Sequence, residues 1–139
     1  MADIVVDAST VVKWYIPEEH HEQARALRDD FLNGKHDLFA PALMPFEAIN
    51  ALTYSGHYDG ERLREAANSL ANYGIDLVSF ESVGPIAEVT NTAGITSSDA
   101  AYVALAVEED GIAYTADGNL VEDLSGSEYE DTVGHIQTY

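Results

Sequence analysis

Four carboxylates in this chain stand where an acid is costly to bury. Asp7 closes the run IVVDAST, Glu47 lies in PFEAINAL, Asp99 in SSDAAYVALAV and Asp117 in IAYTADGNLV. Apolar neighbours strip water from a carboxylate, and an unpaired charge taken out of water costs several kcal/mol. Most other acids fall in polar runs such as EEHHEQARALRDD, where solvent reaches them freely. Position therefore sorts the acids, and abundance does not. If four ionised carboxylates converge within about 5 Å, each pair repels by roughly 3 kcal/mol at an effective dielectric near 20. Cations or protons relieve such repulsion, and an oxygen-only ligand set suits Mg²⁺ or Mn²⁺. Phosphodiester hydrolysis is the chemistry that follows, because a divalent ion activates and orients a water and offsets charge on the leaving oxygen.

The elements that must position these acids alternate between strand and helix. Ile4 to Val6 is a short β-branched run of the kind that suits a buried parallel strand, and it ends at Asp7. Ser9 or Thr10 is the expected cap of the next helix, whose apolar faces come from Val11, Val12, Trp14, Tyr15 and Ile16. Pro17 separates it from a charged amphipathic helix that runs to about Asn33 and closes at Gly34. Leu38 to Ala40 reads as a strand, and Pro45 suits the first turn of a helix from Met44 to Ser55 that carries Glu47.

Asp59 to Tyr73 repeats apolar residues at helical spacing and stops at Gly74, and Ile75 to Phe80 reads as a strand. Pro85 to Ala93 is a shorter helix. Ser97 or Ser98 is the expected cap of a helix through DAAYVALAVEED to Gly111, with Asp99 in its first turn. Ile112 to Thr115 is the next strand, followed by Asp117, a helical segment near Leu120 and a weak terminal strand from Val133 to Ile136. The alternation predicts an α/β fold in which helices cover both faces of a parallel sheet. In such sheets ligands bind beyond the carboxyl ends of the strands, where Asp7 and Asp117 fall, and Glu47 and Asp99 near helix starts can reach the same crevice.

With 139 residues and no internal repeat or linker, the chain is expected to form one domain over residues 1–139. A hydrophobic fraction of 46% argues against wholesale disorder, although 25 acids against 6 Lys plus Arg set the formal net charge at -19. The acids are spread along the whole chain, so the skew belongs to the surface of the fold. Self-repulsion of this size is relieved at about 1 M salt, where the Debye length is only about 3 Å, and the surface reads as halophilic. An ordinary acidic protein or a polyanion mimic is the alternative. No cysteine is present, which excludes disulfides, thiolate metal sites and cysteine nucleophiles. No apolar run approaches the about 20 residues of a membrane helix, and no basic leader opens the sequence, so a cytoplasmic protein without a membrane partner is expected.

The runs VVDASTVVKW, PFEAINAL, SSDAAYVALA and YTADGNLV, in this order and spacing, resemble the PIN-domain ribonucleases, most closely their VapC toxin branch. The likeness extends from the first strand past Asp117. It implies a PIN-like three-layer α/β/α sandwich with a mainly parallel central sheet. It also implies a Mg²⁺- or Mn²⁺-dependent endoribonuclease, commonly a homodimer, inhibited by a cognate antitoxin that enters the active-site groove. Carried over by position, Asp7, Glu47 and Asp99 correspond to the central metal-binding and catalytic acids, with Asp117 as the fourth. Thr115 assists through its hydroxyl, and Thr10 and Asn50 are candidate hydrogen-bond partners behind the acids. Asn50 lies one helical turn from Glu47. Lys13 is a candidate phosphate contact, with a solvated surface lysine as the alternative. The family usually presents basic residues around the groove, and here Lys13, Arg25, Arg28, Lys35, Arg62 and Arg64 are the whole cationic complement.

Competing readings rest on the same residues. An aspartyl-phosphate phosphatase would need a second acid two residues after Asp7, where Ser9 stands. A housekeeping RNA-processing PIN nuclease and an inactive acidic interaction module also compete with the toxin reading. His20 and His21 sit in a charged helix and read as surface residues. Trp14, Tyr15, Tyr54, Tyr58 and Tyr102 read as core or dimer-interface packing before base stacking.

Overall fold

The computed structural model describes residues 2–139. Five strands, β1 (Ala2–Val6), β2 (His36–Pro41), β3 (Asp76–Val78), β4 (Ile112–Thr115) and β5 (Val133–His135), form one sheet in the order β3-β2-β1-β4-β5. Every pairing is parallel. The helices are α1 (Ala8–Val12), α2 (His21–Leu32), α3 (Met44–Tyr54), α4 (Gly60–Ala71), α5 (Gly84–Ala93), α6 (Ser97–Glu108) and α7 (Gly118–Leu124). Right-handed crossovers place α1 to α4 on one face, as the chain steps from β1 to β2 to β3, and α5 to α7 on the other as it returns to β4 and β5. This is the expected α/β/α sandwich.

The central strand β1 is buried on both faces, with Ile4, Val5 and Val6 at 6%, 0% and 0% exposure, which explains its unbroken β-branched run. Its neighbours lie in the register Val5↔Phe39 on one side and Val6↔Tyr114 on the other. The sheet reverses direction of growth between β1 and β4, so their carboxyl ends open a crevice at the switch point. The edge strand β3 is shorter than the Ile75 to Phe80 run predicts, because its residues gain little burial at the rim.

Helix α6 is buried continuously from Ala100 to Ala106, and small side chains let it lie close under β1, β2 and β4. Tyr102, Leu105 and Ala106 join the main core with α1 to α4, while Ala101, Val103 and Ala104 join the second core with α5 and α7. Thr96, rather than Ser97 or Ser98, caps α6: its hydroxyl accepts the Asp99 amide at 3.2 Å. The helix ends with Asp110 at φ 51 and the Gly111 amide bonded to the Ala106 carbonyl at 2.9 Å. A Cβ at Gly111 would lie 2.2 Å from the Asp3 carbonyl, so this close return to β1 requires glycine.

Trp14 and Tyr15 lie just past α1, which ends at Val12 rather than continuing to Ile16. Trp14 donates from Nε1 to the Ala24 carbonyl at 2.9 Å and meets Tyr73 edge-on. Tyr58 donates to the Tyr15 carbonyl at 2.8 Å. Trp14, Tyr15 and Tyr58 thus pack within the fold, in line with a packing role ahead of base stacking.

Candidate active site at the carboxyl end of the sheet

Asp7 follows β1 directly and is only 7% exposed. Its backbone amide continues the sheet, donating to the Tyr114 carbonyl at 3.1 Å, and this fixes where its side chain emerges. Asp7 is also the N-cap of α1, accepting the Ser9 amide at 3.5 Å. That corrects the expectation that Ser9 or Thr10 caps the helix. The cap is long because the carboxylate is shared with two hydroxyls. Thr115 donates from Oγ1 to Asp7 Oδ2 at 2.6 Å, and Ser9 donates to the same oxygen at 3.3 Å.

Thr115 ends β4, one step beyond the Val6↔Tyr114 pair, so strand register sets it opposite Asp7. Its hydroxyl also accepts the Asp117 amide at 3.0 Å and lies 3.3 Å from the Ser9 hydroxyl. The Ser9 hydroxyl in turn accepts the Ala116 amide at 2.9 Å. A polar lattice thus joins the ends of β1 and β4. Thr10, expected behind the acids, is fully buried, but its hydroxyl donates to the Tyr114 carbonyl at 3.1 Å, tying α1 to β4 instead of bonding the Asp7 carboxylate. Ser9 holds the position expected of Thr10.

Glu47 lies in the first turn of α3, after Pro45, and Tyr102 of α6 donates its phenolic hydrogen to Glu47 Oε1. Asn50 is exposed and makes no side-chain hydrogen bond among the described residues, so Tyr102 takes the supporting role expected of it. A single sequence offers little sign of this role, because Tyr102 keeps helical spacing with Leu105 and Ala106 and reads as core. It is 1% exposed and does both. Asp99 is half-buried in the first turn of α6, and Asp117 caps α7, accepting the Asn119 amide at 2.9 Å.

Electrostatics links the four acids. Burial raises the Asp7 carboxyl to about 6, against the lowering effect of Thr115 and Ser9, and the nearby charges of Asp99 and Glu47 push in the same direction as burial. Burial also raises Asp99, with Asp117 and Asp123 adding repulsion. Asp123, on the exposed side of α7 in a polar stretch, carries no signal of this proximity in the sequence. Burial is the larger cause in both, and the neighbouring carboxylates add to it. Among the described residues no three Asp, Glu or His side chains stand close enough to hold one metal ion together. The all-oxygen donor set fits Mg²⁺ or Mn²⁺ in chemistry, while a ligand cage is not preformed: Glu47 is bonded to Tyr102, and Asp7 to Thr115 and Ser9.

Lys13 is not a solvated surface lysine. It is 8% exposed, and its ammonium lies 3.6 Å from Glu18 beside a cleft that Ser9 and Asp117 also line.

A parallel sheet of this order with an acidic crevice at its switch point defines a doubly wound α/β protein. The PIN domain profile matches residues 4–122, and the chain belongs to the PIN-domain family. A curated relative, Ribonuclease VapC3 of Pyrobaculum aerophilum, is 33% identical over 126 residues, covering 86% of this chain and 92% of the relative. Among solved structures, PAE2754 from Pyrobaculum aerophilum superposes with a TM-score of 0.69 at 18% identity, over 99% of this chain and 85% of that one. FitAcB from Neisseria gonorrhoeae gives a TM-score of 0.65 at 16% identity, over 98% and 99%. These structures share the fold.

Proposed function

We propose that this protein is a divalent-metal-dependent endoribonuclease and the toxin of a type II toxin–antitoxin pair. The observation that carries the reading is the setting of Asp7: buried at the switch point, bonded to Thr115, and raised in pKa alongside the charges of Glu47 and Asp99. Asp7, Glu47 and Asp99, which do not stand close enough to share one ion as placed, would draw together around Mg²⁺ or Mn²⁺, with Asp117 completing or adjusting the site. When bound, the ion supplies water activation and charge stabilisation at the scissile phosphate. Thr115 and Ser9 orient the Asp7 carboxylate, and Tyr102 orients Glu47. Lys13 meets a substrate phosphate from the rim of the cleft.

The named relative, Ribonuclease VapC3, supports the ribonuclease activity, and its VapC name accords with the toxin reading. A protein partner is supported by an apolar groove of about 290 Å³ between α3, α4 and β3, where Phe46 is 71% exposed. We assign this surface to partner proteins, the antitoxin and a second copy in a homodimer. Among the described residues no helix is long and apolar enough to cross a membrane, and an RNA substrate accords with work in the cytoplasm.

The test is cleavage of total RNA in molar KCl, with and without Mn²⁺, by wild type and Asp7→Ala. Cleavage that needs both Mn²⁺ and Asp7 supports the reading; metal-independent cleavage, or full activity in the variant, rejects it. Growth arrest on expression, relieved by a protein encoded beside it, separates a toxin from a housekeeping nuclease.

A further inference from the structure

Tyr54 is 88% exposed at the end of α3, whereas Trp14, Tyr15 and Tyr58 are all held by hydrogen bonds. It lines an open cleft of about 650 Å³ with Ser9, Lys13, Glu18, Ala51 and Asp117. Ser9 and Asp117 belong to the acid site, so the cleft continues it. Ligand pockets run about 300–1,000 Å³, and this one has room for a nucleotide.

Helix geometry makes the connection directional. Glu47, Ala51 and Tyr54 fall at i, i+4 and i+7 of α3, one stripe of the helix. Tyr54 therefore lies about 10 Å along the axis from Glu47, and the small Ala51 leaves the floor between them open. Lys13 faces the same space as a largely buried cation whose partner, Glu18, has a half-exposed side chain that a phosphate can displace.

We propose that this cleft is a subsite for single-stranded RNA, in which Tyr54 stacks on the base of a nucleotide flanking the scissile phosphate and Lys13 takes that nucleotide's phosphate. The inference rests on the nuclease reading above. A chain of net charge -19 cannot attract RNA through a broad basic surface. Stacking needs no charge, accepts every base, and outlasts the phosphate contacts that salt weakens.

The test uses the full chain with Mn²⁺ and a short single-stranded RNA that wild type cleaves. Tyr54→Ala is expected to raise KM about tenfold, in molar as in low KCl, while Tyr54→Phe stays within about twofold of wild type. Removing the base on one side of the cleaved bond should raise the wild-type KM equally and leave Tyr54→Ala with no further loss. Melting curves are expected to show both variants folded, because the side chain at 88% exposure packs against little. An unchanged KM in Tyr54→Ala, or a loss that Tyr54→Phe does not rescue, overturns the stacking subsite while the nuclease reading stands. Failure of wild type to cleave any RNA withdraws both.

Discussion

Thr115 donates a 2.6 Å hydrogen bond to Asp7 across 108 residues of sequence, joining the ends of the two central strands at the most buried acid of the site. The bond favours the ionised carboxylate and works against the burial that raises it. Thr115→Val removes the donor and leaves the Asp117 amide without its acceptor. We expect a stability loss of about 1–3 kcal/mol and an upward shift of the acidic limb of the pH–activity profile. Thr115→Ser, which keeps the hydroxyl, should restore both. Melts and pH–rate profiles of the two variants check this, and matching profiles for Val and wild type would reject it.

Asp7 should make the metal-free protein less stable as pH rises. Its folded-state value of about 6 lies above the ordinary 3.8, so between these limits the folded chain holds a proton that the unfolded chain has released. Stability is fully present below that window and declines through it, by about 3 kcal/mol in total at pH 7. Asp7→Asn is expected to flatten the slope and to be the more stable protein at pH 7. Urea melts at pH 4.5 and 7 decide the point. Added Mn²⁺ should stabilise wild type at pH 7 and leave the variant almost unchanged.

Tyr102→Phe deletes one hydroxyl from a packed ring and frees Glu47 from its only described hydrogen-bond donor. Packing is preserved, so the melting temperature should move little. Divalent-ion affinity is expected to fall about 10- to 100-fold, as it does when groups that orient metal ligands are lost. Calorimetric titration with Mn²⁺ tests this, and an unaltered affinity would leave Tyr102 a core residue only.

Gly111→Ala forces a methyl group against the Asp3 carbonyl at 2.2 Å and must displace backbone. A loss of about 2–4 kcal/mol is expected in thermal or urea melts. Asp110→Gly, at φ 51, should act oppositely and stabilise by up to about 1 kcal/mol. Equal stability of Gly111→Ala and wild type would contradict the close return of α6 to β1.

The charge of -19 should make the fold salt-dependent. Raising KCl from millimolar to molar concentrations screens the repulsion, and we expect the melting temperature to climb throughout. A circular dichroism melt that is flat across this range would remove the halophilic reading.

Much of the fold is legible in the amino-acid order. The run ahead of Asp7 announces a strand buried on both faces, Pro45 announces the start of α3, and the alternation of strand and helix announces the parallel sheet. Such features rest on local propensity and on hydrophobic period, which a chain displays before it folds. The candidate acids stand out because each sits against its own neighbours' apolarity.

Tertiary structure decided which groups support those acids. Ser9 and Thr115 meet at Asp7 because strand register sets the end of β4 opposite the end of β1. Tyr102 reaches Glu47 because α6 and α3 meet at the crevice, although its spacing marks it only as core. Tyr54 and Trp14 are both aromatic residues at or just beyond a helix end, yet one is 88% exposed and the other 4%. Burial of a given side chain depends on which elements pack over it, and hydrogen bonds between distant residues depend on register and crossover. Neither quantity is encoded locally, so the sequence alone determined the sheet and singled out the candidate acids, and only the folded chain assigned their partners.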